Sequence, residues 1–353
     1  MQCKTIKGVR IQAISSAIPE QTLDLNFFAA QYGEKEAARV IRGTGITAVR
    51  YAKDISNQNL IVAAAKNLLE QENISLNDID ALVVVTQTPD QFSPGAAFGV
   101  HAMLGLSEQC YLSSINDGCA GYVNGLIQAA ALIKSGVYER VLLCTGDINS
   151  RLIDDNDYQL RMLFGDAASA TLICLGKEED ELSFITGVDG SGKDMLGVKL
   201  SYEKNITYKN LTVGSISALQ MDGVAVMSFA LRRVPEIINM LLAEKSINKE
   251  DIDLFALHQP NEFMLNYLRK ILDVDSQKLP SDVKEIGNTN STSIPLLLTR
   301  ITNSSKQSDC NETTDYHSNH LSSVILCGFG VGLAWNALHV NLSSTRLIPP
   351  VIV

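Results

Sequence analysis

Hydrophobic residues fill nearly every position between Ala120 and Ile133. Only Asn124 and Gln128, four residues apart, interrupt this stretch with a narrow polar stripe. A helix that is apolar on almost all sides is buried inside a protein. A glycine follows at Gly136, as is typical of a helix end. The pattern therefore predicts a buried helix over residues 120–133.

Shorter apolar runs on either side predict alternating strands and helices. Strands are predicted at Val9–Ser15, Ala81–Thr86, Tyr111–Ile115, Val141–Thr145 and Ala168–Leu175, and helices at Ile61–Gln71 and Ala96–Leu104. Alternation of this kind is typical of a layered α/β architecture, in which helices cover mixed sheets.

One of these units occurs twice. Several Leu, Ile and Asp residues between Leu68 and Val85 recur 173 residues later, between Leu241 and His258. Val141–Cys144 likewise resembles Val324–Cys327, at an offset of 183. The ten additional residues are assigned to Thr302–Ser323, a polar segment that is predicted to form a surface loop. An ordered match of this length indicates a duplicated α/β unit.

The duplication divides the chain into an N-terminal half, residues 1–178, and a C-terminal half, residues 179–353. The offset places Cys119 opposite Thr292, in the segment that begins with Gly287 and Asn288. His258 ends the strand that corresponds to the one at 82–85. Because corresponding strand ends converge in a pseudo-symmetric pair, we expect these side chains around one central pocket.

Composition excludes several classes of function. Of the 353 residues, 46% are hydrophobic and 19% charged, as in an ordinary globular protein. The formal net charge of -10 argues against nucleic-acid binding, which requires a basic surface. No apolar run approaches the roughly 18 residues of a membrane span, and the N-terminus lacks the apolar segment of a signal peptide. A cytoplasmic location is therefore expected.

The cysteines indicate neither a disulfide framework nor a metal site. All seven are scattered, and no CxxC pair occurs. Asp309, Cys310, His317 and His320 form only a loose grouping, so no metal is expected there.

Cys119 is the candidate nucleophile. It follows a predicted strand and an Asp117-Gly118 turn, and it lies at the N-terminus of the buried helix. Free backbone N–H groups and the positive end of the helix dipole favour a thiolate there and lower the pKa of a cysteine. The same position also suits a small buried hydrophobic residue, so Cys119 alone does not establish catalysis.

Six short motifs follow one another in a recognisable order. They are Gly43-Thr-Gly-Ile with Arg50, Asp117-Gly-Cys-Ala-Gly-Tyr, Phe164-Gly-Asp-Ala-Ala-Ser-Ala, His258-Gln-Pro-Asn261, Gly287-Asn-Thr with Ser293-Ile-Pro, and Gly328-Phe-Gly-Val-Gly-Leu-Ala-Trp335. In order and spacing this set resembles the β-ketoacyl-acyl-carrier-protein synthase III family over nearly the whole chain. The resemblance implies the thiolase fold, a duplicated five-layer αβαβα architecture that usually forms a homodimer.

The resemblance also implies roles for particular residues. Cys119 would be acylated, His258 and Asn288 would polarise the carbonyl of a second thioester, and the backbone N–H groups of Cys119 and Val331 would form an oxyanion hole. A thiolate exchanges thioesters readily, and neutral N–H donors stabilise an enolate oxygen. The substrates would be acyl-CoA or acyl-carrier-protein thioesters, with no cofactor. Considered singly, His258 is also typical of a buried histidine and Asn288 of a turn.

Four positions depart from the family pattern. Family members hold the adenine of acyl-CoA between a Trp and an Arg, with a second Arg nearby, whereas this chain has Arg39, Tyr158 and Gly43 there. Arg39 and Tyr158 could themselves stack on a base, so we interpret them as candidate substrate-binding residues, together with Asn261. Ser93 replaces a Phe that lines the acyl pocket from across the dimer in many relatives. This predicts room for a longer or more polar acyl group.

Four cations on predicted helices are candidates for docking an acidic acyl carrier protein: Arg232, Arg233, Arg269 and Lys270. Local complementarity would allow this despite the acidic chain. A solvated helix face is the alternative.

The sequence thus predicts an acyltransferase that loads an acyl group on Cys119 and condenses it with a malonyl-thioester, with loss of CO2, in a specialised fatty-acid or polyketide-like pathway. One alternative is transfer of the acyl group to an alcohol or amine without C–C bond formation. Another is a non-catalytic partner subunit of a condensing enzyme. A hydroxymethylglutaryl-type condensation is also possible, although no acidic residue stands out as its base.

Overall fold

The computed structural model describes residues 1–199, 218–301 and 320–353. The strands in these ranges are β1 Lys4–Lys7, β2 Val9–Ile18, β3 Thr22–Asp24, β4 Ala48–Arg50, β5 Ala81–Val85, β6 Tyr111–Ile115, β7 Arg140–Asp147, β8 Ala167–Leu175, β9 Glu181–Val188, β10 Leu196–Gly197, β11 Gln220–Met221, β12 Leu254–Leu257, β13 Val324–Gly330, β14 Ala334–Val340, β15 Arg346–Leu347 and β16 Val351–Ile352. The helices are α1 Leu25–Tyr32, α2 Glu34–Thr44, α3 Asn57–Glu72, α4 Ala96–Leu104, α5 Gly121–Lys134, α6 Tyr158–Arg161, α7 Gly223–Lys245, α8 Glu262–Leu272 and α9 Ser293–Ile301.

Two mixed sheets form the frame. One has the order β15-β2-β8-β7-β5-β6, with β16 also paired to β2, and the other has the order β1-β9-β14-β13-β12. Strands β5, β6 and β7 are parallel, as are β12 and β13. The first strand of the chain joins the sheet of the C-terminal half, and the last two strands join the sheet of the N-terminal half.

Helices fill the space between the sheets and cover both outer faces. Alternate strand residues explain this arrangement, because successive side chains point to opposite faces of a sheet. In β5, Val83 and Val85 pack with α5 and α9 in the central layer. Leu82 and Val84 pack with α3 and α4 on the outside. Helices α7 and α8 cover the outer face of the second sheet, which gives five layers in the order α, β, α, β, α.

The repeat inferred from the sequence is visible in the strand pairing, which has the same register in both halves. Ala81 of β5 pairs with Val141 of β7, and Leu254 of β12 pairs with Val324 of β13. These pairs are related by the offsets of 173 and 183 found in the sequence.

The helices that precede these strands end at equivalent positions as well. Helix α3 ends at Glu72 and α7 at Lys245, 173 residues later. Each is followed by a left-handed residue, Asn73 with φ 53° and Ser246 with φ 54°. The division between residues 178 and 179 falls between β8 and β9 and stays a prediction. Most of the predicted Thr302–Ser323 loop, residues 302–319, lies outside the described residues.

The buried helix predicted at residues 120–133 is confirmed as α5, and Gly136 follows it with φ 75°. The seven other predicted elements are also present, with ends that differ by a few residues. Among the helices of the described ranges, none combines the length and apolar character that crossing a bilayer requires.

Candidate active site

The turn that carries Cys119 is held by both halves of the molecule. It lies between β6 and α5, where Asn124 of α5 donates a hydrogen bond to Asp117 at 2.6 Å. From β14, Asn336 donates to the carbonyl of Ala120 at 3.0 Å and to Asn124 at 2.9 Å. Part of the predicted polar stripe of α5 thus joins the nucleophile turn to the second sheet.

The end of β13 passes directly against Cys119. A Cβ atom at Gly330 would lie 2.7 Å from the Cβ of Cys119 and 3.0 Å from its Sγ, so only glycine fits there. Val331 follows immediately and borders the same cavity as Cys119. Among the described residues, neither the N–H of Cys119 nor that of Val331 donates to another residue. Both donors are available, as the predicted oxyanion hole requires, and that role stays a prediction.

His258 follows β12 and is fixed as a neutral imidazole. Its Nδ1 lies 2.7 Å from the hydroxyl oxygen of Ser293, which also accepts a hydrogen bond from the backbone N–H of Gln259 at 3.3 Å. The Ser293 hydroxyl can then donate to Nδ1, which leaves the ring proton on Nε2. Burial lowers the pKa of His258 to about 3, so the ring is neutral near pH 7.

Asn288 is held through its backbone and through one side of its amide. Its N–H donates to the carbonyl of Leu163 at 2.8 Å, and its own carbonyl accepts from the N–H of Gly165 at 3.0 Å. Its Oδ1 accepts from the backbone N–H of Asn290 at 2.9 Å. Because a backbone N–H only donates, the amide orientation is determined, and Nδ2 stays available as a donor. The Phe164–Ala170 motif therefore helps to position Asn288, through the N–H of Gly165.

One cavity of about 370 Å³ brings the three side chains together. Cys119, His258 and Asn288 line it, and most of its other walls are apolar: Leu163, Phe164, Leu196, Met221, Val224, Met227, Pro260, Phe263, Met264 and Phe329. Val224 and Phe263 are 79% and 49% exposed, so the cavity reaches the surface beside them. The convergence expected from the repeat is confirmed, while the catalytic roles stay predictions.

The resting state of Cys119 differs from the expectation. The side chain is buried, and its thiol donates to Oδ1 of Asn290 at 3.0 Å. Burial, followed by the nearby carboxylates of Asp147 and Asp117, raises the pKa of Cys119 well above that of a free cysteine. The prediction that the helix end lowers this pKa is therefore wrong for the resting site, since burial and two negative charges outweigh the helix dipole.

Several residues of the site were missed in the sequence. Asp147, at the end of β7, accepts hydrogen bonds from the N–H of Gln87 and from the hydroxyls of Thr86, Thr88 and Ser291. Burial nevertheless raises its pKa to about 7. The sequence held a signal, because Gln87 and Asp147 come just after the two strands predicted at 81–86 and 141–145. These strands are parallel in the structure, so their carboxyl ends meet at one edge of the sheet. Asn290 lies inside the motif that begins at Gly287.

Arg39 and Tyr158, the candidates for stacking on a base, contact each other. Arg39 donates to the Tyr158 hydroxyl and forms a salt bridge of 2.9 Å with Glu36. Tyr158 packs with a cluster that includes Leu163 and Phe164, near the wall of the 370 Å³ cavity. Their part in binding a substrate stays a prediction.

The two other candidates have different surroundings. Asn261 lines the 370 Å³ cavity, and its Oδ1 caps α8 by accepting from the N–H of Met264 at 2.8 Å. Ser93 is exposed, whereas its neighbour Phe92, 85% exposed, borders a second cavity of about 600 Å³ at Cys119. Both predicted roles in binding are untested.

The four candidate docking cations fall into two pairs. Arg233 pairs with Glu236 at 2.8 Å, and Arg269 pairs with Glu262 at 2.8 Å. Arg232 on α7 and Lys270 on α8 are exposed, and neither forms a salt bridge with a residue that the structure describes. These two are the cations available to a partner.

Within residues 1–199, 218–301 and 320–353, no group of His, Cys, Asp and Glu is arranged to hold a metal ion. Asp309, Cys310 and His317 of the loose grouping lie outside these ranges.

Comparison with known proteins gives consistent matches. A family model described as 3-oxoacyl-[acyl-carrier-protein] synthase III matches residues 114–190, and the model for its C-terminal part matches residues 242–342. The β-ketoacyl-[acyl-carrier-protein] synthase III of Acaryochloris marina is 31% identical over 333 residues, which are 94% of this chain and 96% of that protein.

Solved structures agree with these matches. A 3-oxoacyl-(acyl-carrier protein) synthase from Burkholderia xenovorans is similar with a TM-score of 0.87 and 29% identity, over 100% of this chain and 99% of that one. The priming β-ketosynthase of the R1128 polyketide biosynthetic pathway is similar with a TM-score of 0.83 and 25% identity, over 95% and 96%. The expected thiolase fold is thereby confirmed.

Proposed function

This chain belongs to the β-ketoacyl-[acyl-carrier-protein] synthase III family, and we propose that it transfers an acyl group through Cys119 and condenses it with a malonyl-thioester. The observation that carries the proposal is the convergence of Cys119, His258 and Asn288 on one largely apolar cavity that opens to the surface. A thioester on a flexible arm can enter there and present its carbonyl to sulfur.

In the first step, the Cys119 sulfur attacks the carbonyl carbon of an acyl thioester. The oxygen of the tetrahedral intermediate receives hydrogen bonds from the backbone N–H groups of Cys119 and Val331. The bond between this carbon and the donor sulfur then breaks. The departing thiolate takes the proton from the thiol of Cys119, which balances the step and leaves an acyl-enzyme.

In the second step, a malonyl-thioester enters the same cavity. Its carbon–carboxylate bond breaks and releases CO2, and the electron pair forms an enolate. The enolate oxygen receives hydrogen bonds from Nε2 of His258 and Nδ2 of Asn288, two neutral donors in an apolar site. The enolate carbon attacks the acyl carbonyl, and the Cys119 thiolate leaves and takes up a proton from water. The product is a 3-oxoacyl thioester.

A homodimer is the assembly we propose for this reaction. Strand β6 lies at an edge of its sheet, and Phe92, Phe98 and Tyr111 near it are 85%, 53% and 43% exposed. Exposed aromatic residues near a free strand edge are suited to contact with a second copy of the chain. Light scattering of the wild type and Phe98→Glu should show a dimer that the variant weakens. Ile271→Glu, at a site 49% exposed on α8, which covers the outer face of the other sheet, should not weaken it. A monomeric wild type would exclude the dimer.

Intact-protein mass spectrometry tests the chemistry. The purified protein is incubated with a panel of acyl-CoA and acyl-carrier-protein thioesters, and then with malonyl-carrier protein, while released CO2 is counted. We expect the mass of one acyl group on the wild type, no such mass on Cys119→Ala, and CO2 release only from the loaded enzyme.

Cys144→Ala is the matched control, because Cys144 is also fully buried but lies in β7, away from the cavity. It should load like the wild type. Loading at Cys119 without CO2 release would instead support transfer to an alcohol or amine. An unlabelled wild type would refute the proposed reaction and favour a partner subunit.

A further inference from the structure

The two cavities that meet at Cys119 have different linings. The 370 Å³ cavity on the side of His258 and Asn288 is mostly apolar. The cavity of about 600 Å³ on the other side also has apolar walls, but five carboxamides border it as well: Gln87, Gln91, Asn116, Asn149 and Asn290. Under the proposed function this second cavity is the space left for the acyl group. A purely alkyl chain would cover these amides without bonding to them.

Asn290 is the amide nearest the reacting sulfur, and its orientation is determined by its neighbours. Asn149 donates through Nδ2 to the carbonyl of Gly165 at 2.9 Å, and therefore turns its Oδ1 toward Asn290 at 3.3 Å. Asn290 must present Nδ2 to that oxygen, and it also donates to Oε1 of Gln87 at 2.9 Å. Its own Oδ1 consequently faces Sγ of Cys119 at 3.0 Å.

The same chain of bonds determines the orientation of Gln87. Because its Oε1 accepts from Asn290, its Nε2 is the free end of the amide. No acceptor for this Nε2 is found among the described residues. The cavity thus holds an acceptor at Asn290 and an unused donor at Gln87, close to each other and to the sulfur.

Acylation changes this arrangement in one respect. The thiol proton of Cys119 leaves with the donor thiol, so Oδ1 of Asn290 loses its hydrogen-bond donor. Asn290 is only 4% exposed, and a buried carbonyl oxygen without a donor is costly. A hydroxyl group close to the thioester carbon would replace the lost donor, since it can donate to Oδ1 of Asn290 and accept from Nε2 of Gln87.

We infer that the acyl group carried by Cys119 is a hydroxyacyl group, with its hydroxyl near the thioester, and that Asn290 and Gln87 select it. This inference rests on the proposed acyl transfer and specifies its substrate class. Asn290 acts on the substrate rather than as a base, because an amide does not take up the thiol proton.

The test compares two thioesters of equal length, hexanoyl-CoA and 3-hydroxyhexanoyl-CoA, by the rate of mass increase at Cys119. We expect the wild type to load the hydroxyacyl group about tenfold faster, the value of one buried hydrogen bond. In Asn290→Gly the ratio should fall to about one. Glycine suits this position, because Asn290 has φ 58°.

Asn73→Gly is the matched control, since Asn73 is also left-handed, with φ 53°, but follows α3 away from the site. It should keep the wild-type ratio. Gln87→Met, which keeps the length of the side chain and removes its amide, should lower the ratio severalfold even if Asn290→Gly does not fold. Equal loading of both thioesters by the wild type, with both dependent on Cys119, would overturn this inference and leave the proposed function standing. A wild type that no thioester labels would overturn both.

Discussion

The two halves of this molecule have the same arrangement of strands and helices, but they contribute different groups to the site: a thiol near carboxylates in one half and neutral N–H donors in the other. At positions related by the offset of 173, Val85 ends β5, whereas His258 follows β12. The N-terminal half contributes the thiol of Cys119, near the carboxylates of Asp117 and Asp147. The C-terminal half contributes the neutral donors His258 and Asn288.

This difference separates the two steps of the proposed reaction. On one side, burial, followed by the carboxylates of Asp147 and Asp117, raises the pKa of Cys119 and keeps the thiol protonated in the resting site. Neutral N–H groups on the other side face the oxygen that becomes negative during condensation. Substitutions in one half should therefore affect one step more than the other.

The largest effect is expected from His258→Ala. It removes the Nε2 donor without supplying another, and loss of one such donor typically lowers a rate about 100- to 1,000-fold. We expect the condensation rate, measured as CO2 release by pre-acylated enzyme, to fall by this amount. Acyl loading, measured by mass, should change less than about fivefold. Equal losses in both steps would contradict the separation between the halves.

Gly330→Ala is expected to be an exception to this separation, because a substitution in the C-terminal half should here slow the loading step. The new methyl group would lie 3.0 Å from Sγ of Cys119, so the nucleophile must move. Overpacking of this kind costs about 1–3 kcal/mol, and we expect loading to slow by roughly 10- to 100-fold. Gly190→Ala is the control, because a Cβ at Gly190 meets nothing within 4 Å. Loading by Gly330→Ala at the wild-type rate would show that the end of β13 does not position Cys119.

Asp147→Asn should sharpen the electrostatic side of the comparison. Burial raises the pKa of Asp147 to about 7, so the folded protein keeps a proton that the unfolded chain loses near pH 4. This contribution to stability is complete below about pH 4 and is lost as the pH rises to about 7. Asp147→Asn has no ionisable group at this position, so it does not lose this stability as the pH rises. We expect its free energy of unfolding, relative to the wild type, to increase by on the order of 2–4 kcal/mol between pH 4 and pH 8.

Chemical denaturation at a series of pH values measures this difference. Asp54→Asn, at an exposed carboxylate, should leave the pH dependence unchanged. Above about pH 7, where Asp147 of the wild type is ionised, Asp147→Asn should also load faster than the wild type, since one charge that opposes ionisation of Cys119 is gone. A constant difference in stability from pH 4 to pH 8 would show that Asp147 is not protonated in the fold.

The sequence predicted what depends on periodicity and order. The repeat identified corresponding strands in the two halves, β5 with β12 and β7 with β13, and the motifs located Cys119, His258 and Asn288. The sequence did not predict the hydrogen bond from Cys119 to Asn290. These residues are 171 positions apart, and the orientation of the Asn290 amide depends on Asn149. The prediction of a lowered pKa for Cys119 was wrong for a related reason. The helix end is visible in the sequence, whereas the burial that outweighs it is set by the packing of distant segments.

The smallest effect is expected at the cations beside the mouth of the apolar cavity. Arg232 and Lys270 are exposed on α7 and α8, whose first turns supply Val224 and Phe263 to that mouth. An acidic carrier protein that delivers its thioester there would meet both charges. We therefore expect R232E and K270E each to raise the KM for acyl-carrier protein by about three- to tenfold at low salt, with little change in kcat.

The same variants should leave loading from acyl-CoA nearly unchanged, because that donor brings no acidic protein surface. Raising the ionic strength should reduce the difference from the wild type, since exposed charges are screened beyond about 8 Å at 0.15 M salt. R233E is less suitable, because Arg233 already pairs with Glu236 and packs over Trp335. If both charge reversals leave the KM for acyl-carrier protein unchanged at low salt, this face is a solvated helix surface, and the carrier approaches the cavity from another side.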